Sequence, residues 1–199
     1  MATTLFLVRH AAHDRVHHVL CGRMPGVTLG ETGRRQAAAL GRRLAGEGIS
    51  AVYTSPLERA RETAAPIAAR LGLAPRENPG LAEIDFGEWT GQRFDALAGD
   101  PRWDRWNTAR ATSRAPGGES MAEAQARAVA AVEGIGADHP EERVALVSHA
   151  DVIKAVLASV MGLSLDAHDR FEVSPASVSA IAIWDGGGKV LSMNEVVAA

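Results

Sequence analysis

A doubly wound α/β fold, with helices on both faces of a mostly parallel sheet, is predicted by three features of the sequence. Short apolar runs alternate with longer amphipathic segments; two of the runs end alike, as LVRHA at 7–11 and LVSHA at 146–150; and helix-start signals recur between them. The apolar runs give strands at 3–9, 51–54, 143–148, 178–184 and 190–195. Thr32 is read as the cap of a helix reaching about Glu47, because Ala37, Leu40 and Leu44 then share one face. SPLERARETAAPIAARLG predicts a second helix, with Ser55 as cap, Pro56 in the first helical position and Glu58 closing a capping box. ESMAEAQARAVAAV repeats the device with Ser120 and Glu123, and DVIKAVLASVMGL follows the second histidine as another helix. From Gln92 to Gly118 no clean period emerges. There Trp103 and Trp106, one helical turn apart, predict a short packed helix, and PGG at 116–118 a loop.

Composition bounds the function. A chain of 199 residues with 46% hydrophobic and 23% charged side chains is expected to form a single domain, 1–199. A formal charge of −3 removes the broad attraction that nucleic acid or an anionic membrane surface requires, so neither is expected as a partner. Cys21 is the only cysteine, which excludes an internal disulfide. The N-terminus carries no secretory pattern, and the one strongly apolar helix is short and broken by Lys154. A soluble, cytoplasmic protein is the expectation. Among the 21 lysines and arginines only Lys154 and Lys189 are lysines, so a single arginine means little and its position must carry the argument.

Position is informative at the two histidines. In an open parallel sheet, ligands bind beyond the carboxyl ends of the strands, and His10 and His149 each stand one step past such an end. The second run turns at once into a helix, so amides near Ala150 and Asp151 offer a positive dipole end to an anion. The 51–54 strand runs into the helix whose first turn holds Arg59. With Arg9, that residue supplies two planar forks for phosphate oxygens. Two histidines, two arginines and a helix end predict a phosphoryl site.

LVRHA, GVTLGETGRRQA, TSPLERARET, LAEIDFGEW, PGGES and VSHADV, in this order from Leu5 to about Gly162, resemble the signatures of the histidine phosphatase superfamily, which includes the phosphoglycerate mutases. The resemblance implies a three-layer α/β/α sandwich with a phosphoglycerate mutase-like sheet, and segment 92–118 as a lid-like insert. It implies a phosphohistidine intermediate with His10 as nucleophile, Arg9 and Arg59 as phosphate clamps, His149 as a further phosphate ligand and Glu83 as proton donor, with no metal and no cofactor. Chemistry agrees. A neutral imidazole attacks phosphorus through one nitrogen while a backbone carbonyl orients the other. Cationic donors stabilise the equatorial oxygens. Glu83 needs a raised pKa, which the apolar neighbours Leu81, Ile84, Phe86 and Trp89 are placed to supply.

The chain departs from the family pattern after the nucleophile: relatives commonly read RHGET followed by an asparagine, whereas here Ala11, Ala12 and His13 follow, and Val16 stands in the asparagine's place. His13, His17 or Arg23 is expected to take over its phosphate bond, and His13, Arg23 and Ala150 join the expected substrate contacts. The same polar cluster, His10, His13, Asp14, His17 and His18, also reads as a set of metal ligands. A mutase and a non-catalytic phosphate-binding relative share most of these features with a phosphatase. The chain ends soon after its last strand, without the tail that shields a mutase phosphoenzyme, and this favours hydrolysis. The substrate expected is a small-molecule phosphate monoester, and Arg102, Arg105, Arg110 and Arg114 over the leaving group suggest an acidic one.

Overall fold

The computed structural model describes residues 1–16 and 18–198. Six strands form one sheet: β1 (Thr3–Arg9), β2 (Ala51–Thr54), β3 (Pro75–Glu77), β4 (Arg143–Ser148), β5 (Ser177–Trp184) and β6 (Gly187–Val196). Their order is β3-β2-β4-β1-β5-β6, with the first four mutually parallel, β5 antiparallel to β1 and β6 antiparallel to β5. The helices are α1 (Glu31–Leu44), α2 (Glu58–Leu71), α3 (Phe94–Leu97), α4 (Pro101–Thr108), α5 (Met121–Asp138) and α6 (Ala150–Val160).

The period-two alternation of the strands sorts them into two cores. Phe6 and Val8 of β1, Val52 of β2, and Ala145 and Val147 of β4 pack against Ala37, Leu40 and Leu44 of α1 and Ala64 and Ile67 of α2. On the other face, Leu5, Leu7, Val144 and Leu146 meet Val132 and Ile135 of α5 and Val152, Ile153 and Val156 of α6. A third cluster joins Ile84, Phe86 and Trp89 to Leu97 and Trp106 of segment 92–118. Trp106 is fully buried, and Trp89 meets both Trp103 and Trp106 edge-on. The short packed helix expected around these tryptophans is α4.

Three of the five strands expected from sequence have the observed bounds, and the last two start earlier than expected. β3 has no counterpart in the sequence pattern: its three residues are all exposed, so no apolar alternation marks it. Two helix starts also need correction. α1 begins after Gly30, and Thr32 lies inside its first turn, where its hydroxyl accepts from Arg35. α2 begins after Leu57, without a side-chain cap. Glu58 accepts from the Gly26 amide instead of closing a capping box, and Ser55 accepts from the Leu57 amide one turn too early to cap the helix. The box at Ser120 and Glu123 forms with both bonds, of 3.2 and 2.9 Å.

Candidate active site

The first histidine is anchored on both sides, its own amide donating to the Ser148 carbonyl at 2.9 Å and the next two amides to side chains of α2 and α1. The Ala11 amide donates to Thr63 Oγ1 of α2 at 3.0 Å, and the Ala12 amide to Gln36 Oε1 of α1 at 2.9 Å. Gly33 permits this approach, since a Cβ there would lie 1.9 Å from the Ala12 carbonyl oxygen. Between these anchors, the His10 ring is buried, and its Nδ1 lies 2.8 Å from the carbonyl oxygen of Ala11. A proton on Nδ1 satisfies that carbonyl and leaves Nε2 as the free base. Burial, then Arg59 and Arg9, holds the imidazole well below its usual pKa.

Arg59, on the first turn of α2, is buried. Its Nε points at His10 Nε2 across 3.4 Å, and its Nη2 donates to the Gly22 carbonyl at 2.8 Å. Arg9 donates through Nη1 to the Val173 carbonyl at 2.6 Å. These carbonyls fix each guanidinium by one edge. Among the described residues, Arg59 Nη1 and Arg9 Nε have no partner.

β4 delivers His149 at the start of α6, fully buried, with its ring 5.1 Å from that of His10. Ser55 Oγ lies 2.7 Å from its Nε2, which leaves Nδ1 without a partner and 3.9 Å from Glu83 Oε2. Burial, then Arg59 and His10, keeps this ring neutral too. Ala150 opens α6 beside it, at the helix end where amides point outward.

Glu83 is the carboxylate of the group. Burial, aided by the charge of Asp151, pushes it up to about 7, against the pull of Arg59 and Arg9. The apolar neighbours Leu81, Ile84, Phe86 and Trp89 are all buried. Its backbone is clamped from outside: the Glu83 carbonyl accepts from Arg23 Nε at 2.8 Å and from Arg127 Nη2 at 3.1 Å, and Arg127 also binds the Gly80 and Ala82 carbonyls. Glu119 accepts from Arg23, Arg127 and the Asp85 amide, tying the three together. Gly87 closes the loop at φ +51°, where a Cβ would lie 2.1 Å from the Pro116 oxygen.

The sequence-predicted residues Arg9, His10, Arg59, Glu83, His149 and Ala150 therefore converge. His13 stacks on His10 with ring centroids 5.5 Å apart, and burial, then Arg59, lowers it to about 4. Arg23 is placed differently from the expectation of a phosphate contact: its Nε and Nη2 bind the Glu83 carbonyl and Glu119. Its guanidinium supports the Glu83 loop because that carbonyl and carboxylate lie within its reach. His17 lies outside the described residues. Among those described, no group of three or more His, Cys, Asp or Glu is arranged to hold a metal. Three residues hold positions that sequence reasoning misses. Ser55, a cap by its place in the chain, instead meets His149, while Arg127 and Glu119 have the look of ordinary helix-surface and loop charges. Only the strand-end position of Ser55 could have signalled its contact.

Comparison with known proteins agrees with this geometry. The model of the histidine phosphatase superfamily (branch 1) matches residues 5–196. Phosphoserine phosphatase 1 of Hydrogenobacter thermophilus is 30% identical over 195 residues, covering 96% of this chain and 91% of that protein. The solved structure of Bacillus stearothermophilus YhfR superimposes with a TM-score of 0.91 at 31% identity, covering 98% of each chain. Mycobacterial glucosyl-3-phosphoglycerate phosphatase Rv2419c gives 0.84 at 27% identity, over 98% of this chain and 100% of that one. No described helix is long and apolar enough to cross a membrane. With a match over nearly its whole length and the histidines, arginines and carboxylate gathered at the carboxyl end of the sheet, the chain belongs to the histidine phosphatase superfamily, branch 1.

Proposed function

We propose that the protein is a phosphomonoesterase that hydrolyses a small-molecule phosphate monoester through a phosphohistidine at His10, without a metal. The observation that carries this reading is the set of buried donors around His10: Arg9 Nε, Arg59 Nη1 and His149 Nδ1 have no partner among the described residues, although buried polar groups are nearly always paired. A phosphoryl group presents oxygens to all three. His10 Nε2 forms the N–P bond as the ester O–P bond breaks, and Glu83 gives its proton to the departing alkoxide. Glu83, now ionised, takes a proton from water, whose oxygen attacks phosphorus and releases inorganic phosphate and free His10. Arg9 and Arg59 hold the equatorial oxygens throughout. Segment 92–118 covers the leaving-group side as a lid-like insert.

Two relatives support hydrolysis of small phosphate esters by name, the phosphoserine phosphatase and the glucosyl-3-phosphoglycerate phosphatase. The test is release of p-nitrophenol from p-nitrophenyl phosphate with and without a strong chelator. Equal turnover in both is expected. Loss of turnover on chelation, restored by a divalent metal, would contradict the metal-free mechanism.

A further inference from the structure

The arginines of segment 92–118 suggested an acidic substrate, and their placement points elsewhere. Arg93, Arg102 and Arg114 are exposed and paired with Asp95, Asp100 and Glu123, and Arg105 is exposed on α4. Arg110 alone among them is buried, at 6% exposure. Its guanidinium lies over the Trp106 ring at 5.2 Å and donates to Asp151 Oδ2 at 3.0 Å and to Asn107 Oδ1 at 3.2 Å. Asp151 stands two residues past His149 in the first turn of α6. Burial acts to push its carboxyl up, but Arg110, with His168 and Lys154, holds it ionised. A carboxylate beside a phosphate site opposes the anion it faces, so its place calls for a separate reason.

We propose that Asp151, held by Arg110, is the leaving-group subsite, and that it selects an uncharged, hydroxylated alcohol such as a polyol over one bearing a carboxylate. The proposal rests on the phosphatase reading above. Three observations carry it. Location comes first: Asp151 lies in the first turn of α6, two residues past His149, whose Nδ1 is 3.9 Å from Glu83 Oε2, and its charge reaches both Glu83 and Arg9. Donor and acceptor inventory comes second. Arg110 Nε and His168 Nδ1 have no partner among the described residues, and Asp151 Oδ2 takes the Arg110 bond while the side chain keeps 24% of its surface exposed. A hydroxyl donates to a carboxylate and accepts from a guanidinium or ring N–H, so adjacent hydroxyls match this mixed set. Charge comes third: of the cations around Asp151, Arg9 is given to the phosphoryl group, Arg110 is engaged by Asp151 and Lys154 lies over the Phe171 ring at 5.8 Å, while Asp169 and Glu172 add negative charge around His168 and Arg9. A second anionic group on the substrate would meet Asp151 with its counter-cation already taken.

The test compares kcat/KM for glycerol 1-phosphate and 3-phosphoglycerate, which share a three-carbon chain and differ in the carboxylate, with p-nitrophenyl phosphate as reference. The wild-type protein is expected to favour glycerol 1-phosphate by about tenfold or more. Asp151→Asn removes the repulsion and is expected to narrow that ratio, whereas Arg110→Met leaves the carboxylate uncompensated and is expected to widen it. A merely structural pair would move both substrates together in both variants. Preference for 3-phosphoglycerate by the wild type, or unchanged ratios in the variants, overturns the subsite while leaving the phosphatase reading intact. Failure of the wild type to hydrolyse p-nitrophenyl phosphate overturns that reading and the subsite with it. If neither variant folds, the wild-type ratio decides alone.

Discussion

Glu83 can serve as a proton donor because two different surroundings act on it in the same direction. The buried wall of Leu81, Ile84, Phe86 and Trp89 and the charge of Asp151 raise it to about 7, so about half of it carries a proton at neutral pH. The proton matters as much as the leaving group needs it. Removing the donor in Glu83→Gln is expected to slow an alkyl phosphate by about 10² to 10⁴ and to leave the phosphoenzyme burst from p-nitrophenyl phosphate nearly unchanged. Stopped-flow bursts separate the two, because in the proposed mechanism Glu83 also activates water in the second step and steady-state rates mix both roles. Equal losses in the two bursts would assign the proton to another group, with Asp85 the nearest carboxyl in sequence. At neutral pH, His10 and His149 need no such tuning upward. Both are neutral and buried, and each has one nitrogen committed, His10 to a carbonyl and His149 to Ser55.

The elements around the site differ in how openly the sequence declares them. β1, β2 and β4 are legible to the residue because their apolar runs are unbroken and end in charged or hydroxylated residues. The site residues His10, Arg9, Arg59 and His149 are legible for the same reason, since each follows directly from a strand end or first helical turn. What is not legible depends on tertiary partners. Ser55 and Glu58 have the spacing of a capping box, but His149 and the Gly26 amide draw their side chains away from the helix end. Arg23 supports Glu83 through a carbonyl 60 positions away, and no local pattern encodes that. In the insert, helices of four and eight residues are too short to show a period. The box that does form gives a direct test. Ser120→Ala removes the bond to the Glu123 amide and is expected to cost about 1 kcal/mol of unfolding free energy, measured by denaturant titration. No change in the midpoint would mean that the Ser120 amide bond to Glu123 and Arg114, which binds both Glu123 and the Gly118 carbonyl, hold this helix start without the serine hydroxyl.

At the scale of the whole molecule, the fold gathers four titratable groups, His10, His13, His149 and Glu83, at one end of the sheet, and their shifts make stability depend on pH. His10, His13 and His149 are depressed from the usual 6.5, so the unfolded chain takes up protons that the folded one refuses. Their stabilisation is complete above that value and is lost as pH falls, by about 1.4 kcal/mol per unit for each ring. Glu83 has the opposite sign. Raised from 4.5 to about 7, it stabilises fully below 4.5 and loses that contribution as pH rises through 7. Between about pH 6 and 5 the three rings outweigh the one carboxyl, leaving a net loss of about 2.7 kcal/mol per unit on acidification, to which His168, also lowered by burial, adds. In His149→Gln one ring fewer opposes Glu83, and the loss on acidification is expected to shrink by about 1.4 kcal/mol per unit over this range. A slope unchanged from the wild type would show that these histidines do not control it. The central claim is covalent: the phosphoryl group passes through His10. The most direct measurement quenches turnover of a ³²P-labelled monoester in base, where a phosphohistidine survives, and maps the label by peptide mass spectrometry. Label is expected on His10, lost on brief acid treatment and absent from His10→Ala. Rapid hydrolysis with no trapped label, or label that persists in His10→Ala, would contradict it.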